Sequence, residues 1–399
     1  MTLTRLCLTT MCMVVASAAM PAALAAQLEL DATFSGNGHV WVGDANASLV
    51  TETDVRRDQV YALSLDLVPS AAAVAVSRLN SDGTHDAGYG SAGSARVPVK
   101  GAFAAGFTVD RFGASVAVAQ SAQALTVVAW NSSGRLDRTF SSNGIRRLAV
   151  PGQQGSSDPD VVIDRRGRLV VAAMVPARRG SKVNVYRLLP DGSLDLSFSG
   201  DGVRVVDNGR WDWMDALAID GNRVVLGTDT GGAGDLNAAG AVMRLRRNGA
   251  NDSTFSEDGL AHFRLMPGRF TFPVAIGVGA SGRLTLAATS ATNLYGAVRI
   301  RPNGTLDASF GDAGVVGVTC NCFVYNGDVS AGRVALVGNR KDGTTLVTRI
   351  TKHGTRLDQG WLDPFPATRS ESPQAIAWSG TKMVLGGSVR QRGFVARVA

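Results

Sequence analysis

The side chains best placed to do chemistry in this sequence are arginines and aspartates held at a fixed interval. Arg78, Arg187, Arg244 and Arg299 are followed eight residues later by Asp86, Asp195, Asp252 and Asp307, and Arg349 is followed after nine by Asp358. Arg397 completes the arginine set near the end of the chain. A guanidinium and a carboxylate at a recurring spacing can form a bidentate, charge-assisted pair. The set therefore reads as a structural clasp, repeated once per unit. The competing chemistry is a central ring of arginines that binds an anion. One unit carries Trp130 in the arginine slot, so the clasp is not indispensable.

Other reactive groups are sparse. Beyond the leader the cysteines are Cys320 and Cys322, in Thr-Cys-Asn-Cys-Phe. An oxidising compartment favours a disulfide. Residues two apart in an extended strand lie near the upper Cα limit for bridging, so the bridged and free forms both stay open. Two thiols without a nearby histidine do not make a zinc site. His39, His85, His262 and His353 fall at different repeat slots, which gives no symmetric ligand ring. There is no Gly-x-Ser-x-Gly elbow, phosphate-cradling glycine loop or His-Glu-x-x-His pattern. Asp164 and Asp220 stand where turns begin. No catalytic residue, metal ligand or cofactor is assigned from the sequence.

The elements that must position these groups come from a repeat. Leu30–Gly38 reads LDATFSGNG, and returns as LDRTFSSNG, LDLSFSGDG, NDSTFSEDG and LDASFGDAG. A looser copy starts at His85 and a decayed one, LDQGWLDPF, at Leu357. Its aspartate and aromatic residue are Asp31 and Phe34, Asp86 and Tyr89, Asp137 and Phe140, Asp195 and Phe198, Asp252 and Phe255, Asp307 and Phe310, and Asp358 and Trp361. The aromatic positions are spaced by 51 to 58 residues, and glycine follows the aromatic by four in six copies, Phe365 taking that slot in the last. Seven copies at one period announce a repeat architecture. The aspartate can accept from N–H groups of its own turn, the glycine supplies positive φ, and the ring supplies buried area. Calcium is the rival reading, through Asp195 with Asp201 or Asp252 with Asp258. It needs six to eight oxygens, and the copies ending in Ala92 and Ala313 lose a ligand, so the mechanical reading is preferred.

Between motifs, each period holds four short strand-like runs separated by turn residues. In the fourth unit these are residues 216–220, 223–227, 241–245 and 260–265. Four such runs predict one four-stranded antiparallel sheet per repeat. The chain opens on a motif and one strand, 39–42, and closes on three strands near 374–378, 382–387 and 393–398. The first strand is expected to complete the last sheet and so hide the sheet edges. The predicted fold is all-β: a seven-bladed β-propeller occupying residues 26–399 as one domain, and acting as a monomer.

Residues 1–25 read as a secretory signal: a single Arg5, an apolar run from Met11 to Ala19, and a small-residue exit at Ala23-Leu24-Ala25. The run is too short to span a bilayer, and no later segment is long and apolar enough to do so. The chain is expected to be exported, to the periplasm, cell surface or medium. Removal of the leader leaves 39 basic against 33 acidic side chains, a formal charge of +6. That excess allows an anionic partner without requiring one. It is too dispersed for a nucleic-acid footprint.

The repeated Leu-Asp-x-x-Phe-Gly-x-x-Gly, followed by an alternating strand and a Gly-Arg hairpin, resembles the bacterial delta-60 repeat β-propeller family. The resemblance covers nearly all of the chain after the leader and departs at the copy around Trp361. It implies the propeller architecture and a secreted or surface setting. It implies no catalytic residues.

One set of loops differs from the rest. Connections from an outer strand to the next inner strand share a face with the second-to-third strand turns. The connections include Lys100-Gly101-Ala102-Phe103, Gly209-Arg210-Trp211-Asp212-Trp213 and Gly268-Arg269-Phe270-Thr271-Phe272; the turns add Arg178, Arg179, Lys182, Arg340, Lys341, Arg390 and Arg392. Aromatic and arginine side chains together are what binding surfaces favour. The candidate ligand-binding residues are Arg210, Trp211, Trp213, Arg269 and Phe270. The bland alternative is that Trp213, Phe272 and Phe107 fill gaps between blades. The sequence thus points to a non-enzymatic binding or scaffold module for a protein or polysaccharide partner. A propeller hydrolase or lyase, acting on a sugar or lactone at the central channel, is the alternative.

Overall fold

Alternating β-branched and apolar residues, punctuated by Gly, Asn and Asp, give the chain short strands and tight turns. A computed structural model describes residues 26–43, 47–67, 72–150, 159–177, 180–207, 214–229, 231, 238–290, 293–340, 342–362, 365 and 371–399. All its regular elements are strands, arranged in seven antiparallel blades. Blade one spans 48–98, blade two 104–149, blade three 160–206, blade four 214–263, blade five 272–319 and blade six 322–362. Blade seven combines Glu371–Ser379, Lys382–Val389 and Arg392–Val398 with His39–Val42. His39 lies opposite Ala396 and Val42 opposite Gly393. The ring is therefore closed by the N-terminal strand, and seven blades stand as the sequence predicts. The expected leader, residues 1–25, lies outside the described residues.

The first strand of each blade lines the axis, packing beside the first strand of the next. Apolar side chains fill the wedges between blades. Between blades one and two, for example, Leu63, Val74 and Tyr89 pack with Ala117, Val128 and Trp130. Burial of such faces against neighbours on both sides is what stabilises a quasi-repetitive ring.

The motif builds one device in six of its copies. The aspartate side chain accepts from the residue two on: Asp195 Oδ1 takes the Ser197 N–H at 3.1 Å and its hydroxyl at 2.6 Å. The aromatic ring of each copy, from Phe34 to Phe310, is at most 2% exposed. The residue after the ring adopts positive φ in all six copies, although it is serine in four, with φ between 48° and 54°. That strained turn aims its N–H at the next blade: Ser199 donates to the Asn248 carbonyl and Ser256 to that of Asn303, both at 2.9 Å. The glycine four after the ring cannot be replaced cheaply. At Gly202, φ is +85° and an added Cβ would meet Leu194 Cβ at 2.8 Å.

The copy at Leu357 takes a different form. Arg356–Leu362 is the outer strand of blade six, with Trp361 opposite Leu346. Phe365 in place of glycine removes the residue that permits the return turn, and residues 356–362 are extended. Trp361 is only half-buried, under the Arg340 guanidinium at 4.8 Å. The Asp358 side chain lies outside the described residues. A fifth strand, Ala26–Gln27, pairs in parallel with Gly360 and Trp361, so the N-terminal segment ties blade six as well as blade seven.

Candidate functional site

The clasps form where the i, i+8 spacing predicts, with one exception. Arg78 Nε meets Asp86 Oδ2 at 2.8 Å, Arg187 meets Asp195 at 2.8 Å and Arg244 meets Asp252 at 2.9 Å. Each guanidinium also lies over its motif ring, at 4.5 Å for Arg78 on Tyr89 and 4.6 Å for Arg187 on Phe198. A further hydrogen bond crosses to the next blade, from Arg187 to the Arg247 carbonyl and from Arg244 to the Pro302 carbonyl. Burial draws the Asp252 carboxyl upward, yet the Thr254 hydroxyl and N–H, with Arg244 and Arg223, hold it at about 2. These arginines point into their blades and do not form an axial ring. Blade five departs from the pattern. Asp307 is taken by Arg283 at 3.0 Å and Arg301 at 3.6 Å, so the expected Arg299–Asp307 pair is absent.

Cys320 and Cys322 are joined by a disulfide, with Cα atoms 5.3 Å apart. The bridge sits at the turn from the outer strand of blade five, Val315–Thr319, into the inner strand of blade six, Cys322–Ser330. It precedes two exposed rings, Phe323 at 51% and Tyr325 at 44%. Neither ring was among the residues singled out by spacing, because both belong to a strand and not to a loop.

Of the candidate binding residues, Arg210, Trp211 and Trp213 lie outside the described residues, as do Arg178, Arg179 and Lys341. Arg269 is exposed and Phe270 half-buried. The Phe270 and Phe272 rings are 5.3 Å apart. Several basic side chains of this face are engaged within the propeller. Lys182 pairs with Asp207 at 2.7 Å, and Arg392 covers Trp41 at 4.4 Å.

The axial channel brings together residues that no motif marks. Its upper chamber is a cavity of about 490 Å³, lined by Phe270, Phe272 and Tyr325, by Glu52 and Asp160, and by Asn326. These come from blades one, three, five and six, or the connection that leads into them. A lower chamber of about 310 Å³ shares Glu52 and Gly327 with it and carries Asp54, Arg56 and Asp328. Arg56 reaches Asp54 at 2.6 Å, and 20% of the Asp54 side chain still meets the lumen. Enclosure by the channel wall pushes the Asp54 carboxyl up to about 7, against the pull of Arg56 and with a push from Asp328. Burial also raises Asp328, against an N–H donated by Trp378 at 2.8 Å. Asp54, raised to near neutrality, and Asp328, raised by burial, thus face one chamber, a juxtaposition that spacing could not reveal. Among the described residues no group of three or more His, Cys, Asp or Glu side chains is placed to hold a metal ion.

Comparison with known proteins adds the fold and little more. A family model described as a domain of unknown function (DUF5122) beta-propeller matches residues 179–198, the third strand of blade three and its motif as far as Phe198. No curated protein matches. Among solved structures, Raptor from Chaetomium thermophilum is similar at 10% identity and a TM-score of 0.54, covering 91% of this chain and 29% of that one. This chain therefore spans under a third of the Raptor chain. The Cps50 (Swd1) beta-propeller domain from Myceliophteria thermophila is similar at 11% identity and a TM-score of 0.51, with 90% and 98% of the two chains covered. The beta-propeller domain of the Trilobed protease from Pyrococcus furiosus follows at 8% identity and 0.50, covering 89% and 94%. At these identities the likeness is one of fold.

Proposed function

We propose that this protein is an exported, non-enzymatic binding module of the delta-60 repeat type, which takes a polysaccharide or protein partner across the mouth of its axial channel. The observation that carries the reading is the set of accessible rings around a polar opening. Phe270, Phe272 and Tyr325 line the upper chamber beside Glu52, Asp160 and Asn326, with Phe323 exposed on the same strand as Tyr325. Flat apolar faces beside hydrogen-bonding groups suit the face and the hydroxyls of a sugar, or an aromatic-rich peptide segment. Arg269 at the rim gives such a surface affinity for an anionic group on the partner. The leader-like first 25 residues support export.

A glycan array and a pull-down from an extracellular fraction, both with protein lacking residues 1–25, test this. Binding should fall at least ten-fold in a Phe270→Ala, Tyr325→Ala variant of unchanged thermal midpoint, and should weaken with salt if Arg269 contributes. Blank results from both assays, or an unaffected variant, would overturn the reading. The Asp54 and Asp328 carboxyls favour a second reading, a hydrolase or lyase at the lower chamber. It requires turnover of a glycan or lactone that Asp54→Asn abolishes.

A further inference from the structure

The face opposite the channel mouth carries the first-to-second strand turns and the motifs. There blades three and four share a charge balance that blade five lacks. In blades three, four, five and seven the third-strand arginine is joined by a second cation at the start of the second strand: Arg168, Arg223, Arg283 and Lys382 respectively. In blades three and four an aspartate at the end of the first strand balances that cation. Asp164 meets Arg168 at 2.7 Å, and Asp220 lies 3.7 Å from Arg223 and 3.8 Å from Arg244. Blade five has Gly279 in this slot.

The adjoining turn of blade six adds Lys352 and His353 to the cleft beside blade five. The carbonyl that receives the motif N–H belongs to Asp82 and Asp191 at two of the clefts and to His353 here. Lys352 precedes it. The consequence shows at Arg299. Its guanidinium still covers the motif ring, at 4.4 Å from Phe310. With Asp307 taken, however, Nε donates to the Thr285 hydroxyl at 3.2 Å and Nη2 to the Gly332 carbonyl at 3.1 Å. Among the described residues no carboxylate lies within ion-pair distance of it. Burial, and then the neighbouring Arg283, draw Arg299 below the usual arginine range against Asp307, as burial also does at Arg187 and Arg244.

Arg283, Arg299, Lys352 and His353 line an open cleft of about 460 Å³ between blades five and six, with Ser281 as a hydroxyl donor and Asp307, which takes the Ser309 hydroxyl at 2.8 Å, as its lone carboxylate. We propose that this cleft binds a tetrahedral oxyanion, a sulfate or phosphate group, on the face opposite the channel mouth. The planar fork of arginine matches such a group, and an oxyanion would supply the negative charge that Asp164 and Asp220 supply in blades three and four.

The test uses the full chain after the leader, titrated calorimetrically with inorganic sulfate and, separately, inorganic phosphate, at constant ionic strength held with chloride. Saturable binding of at least one is expected. Gly279→Asp restores the missing carboxylate without removing a cation. An added Cβ there meets only the Arg283 carbonyl, at 3.4 Å, so the fold should tolerate it. Gly279→Asp should weaken anion binding at least ten-fold and raise the thermal midpoint. Arg283→Gln with Lys352→Gln should also weaken binding ten-fold, while Arg223→Gln in blade four should leave it unchanged. No binding above the chloride control, or binding by the Gly279→Asp and double-glutamine variants as tight as that of the parent, overturns the site. Comparing a sulfated polysaccharide with a phosphorylated one then separates the two sources of the group.

Discussion

Arg397 Nε lies 2.7 Å from Asp31 Oδ2, across a sequence separation of 366 residues. It is the clasp that Arg187 makes with Asp195 eight residues away, assembled here from the two ends of the chain. Lys382 donates to the same oxygen, Thr33 to the other, and Arg397 reaches the Ser81 carbonyl of blade one. The ring is thus locked by a motif whose aspartate and arginine can meet only after closure.

Breaking this lock should open the ring. Asp31 and Arg397 are 6% and 11% exposed, and removing one partner of a buried pair costs about 3–5 kcal/mol. Asp31→Ala should lose that much in urea unfolding, and the Asp31→Ala, Arg397→Ala double variant should lose less than the two single losses combined. Full additivity would show that the pair is not coupled.

The same carboxylate sets an acid limit. Hydrogen bonds from Lys382, then Thr33 and Arg397, hold Asp31 well below its ordinary 3.8. A depressed folded value gives stability that is present above 3.8 and lost as pH falls below it. The fall in thermal midpoint below pH 4 should be shallower in Asp31→Asn than in the parent. Equal slopes would remove Asp31 from the account.

Asp54 works with the opposite sign. Its folded value is raised from 3.8 to about 7, so between these limits the unfolded chain ionises while the folded one stays protonated. Stability then declines as pH rises through this window, by about 2–4 kcal/mol. Asp54→Asn should match the parent at pH 4 and exceed it in thermal midpoint at pH 8. A pH-independent difference would refute the assignment.

The six turn-forming motifs and the seventh copy should respond differently to truncation. Phe198 is fully buried, and Phe198→Ala should cost about 3–5 kcal/mol. Trp361 is a half-buried strand residue, and Trp361→Ala should cost only about 1–2 kcal/mol. Chemical denaturation of both variants decides, and equal losses would restore Trp361 as an anchor.

The disulfide closes a loop of three residues, so it should add only about 1–2 kcal/mol. Cys320→Ser with Cys322→Ser should reduce stability by that amount and leave the fold intact. Thiol titration of the parent without residues 1–25 should find no free cysteine.

The sequence by itself determined what is local and repeated. Asp195 and Ser197 share one turn, Arg187 and Asp195 flank one strand reversal, and Gly202 relieves one backbone clash. Each depends on residues within about fifteen positions, so spacing alone carries it. The closing strand 39–42 was legible because an unpaired strand edge demands a partner and the last blade lacked one. Tertiary structure alone decided which distant side chains converge. Glu52, Asp160 and Tyr325 belong to three blades and share one chamber only because seven first strands surround an axis. Asp307 meets Arg283 and Arg301 in place of Arg299, a choice among arginines that share one cleft and that spacing along the chain does not rank. A period read along the chain orders the blades, but charge balance and enclosure are properties of the space between them.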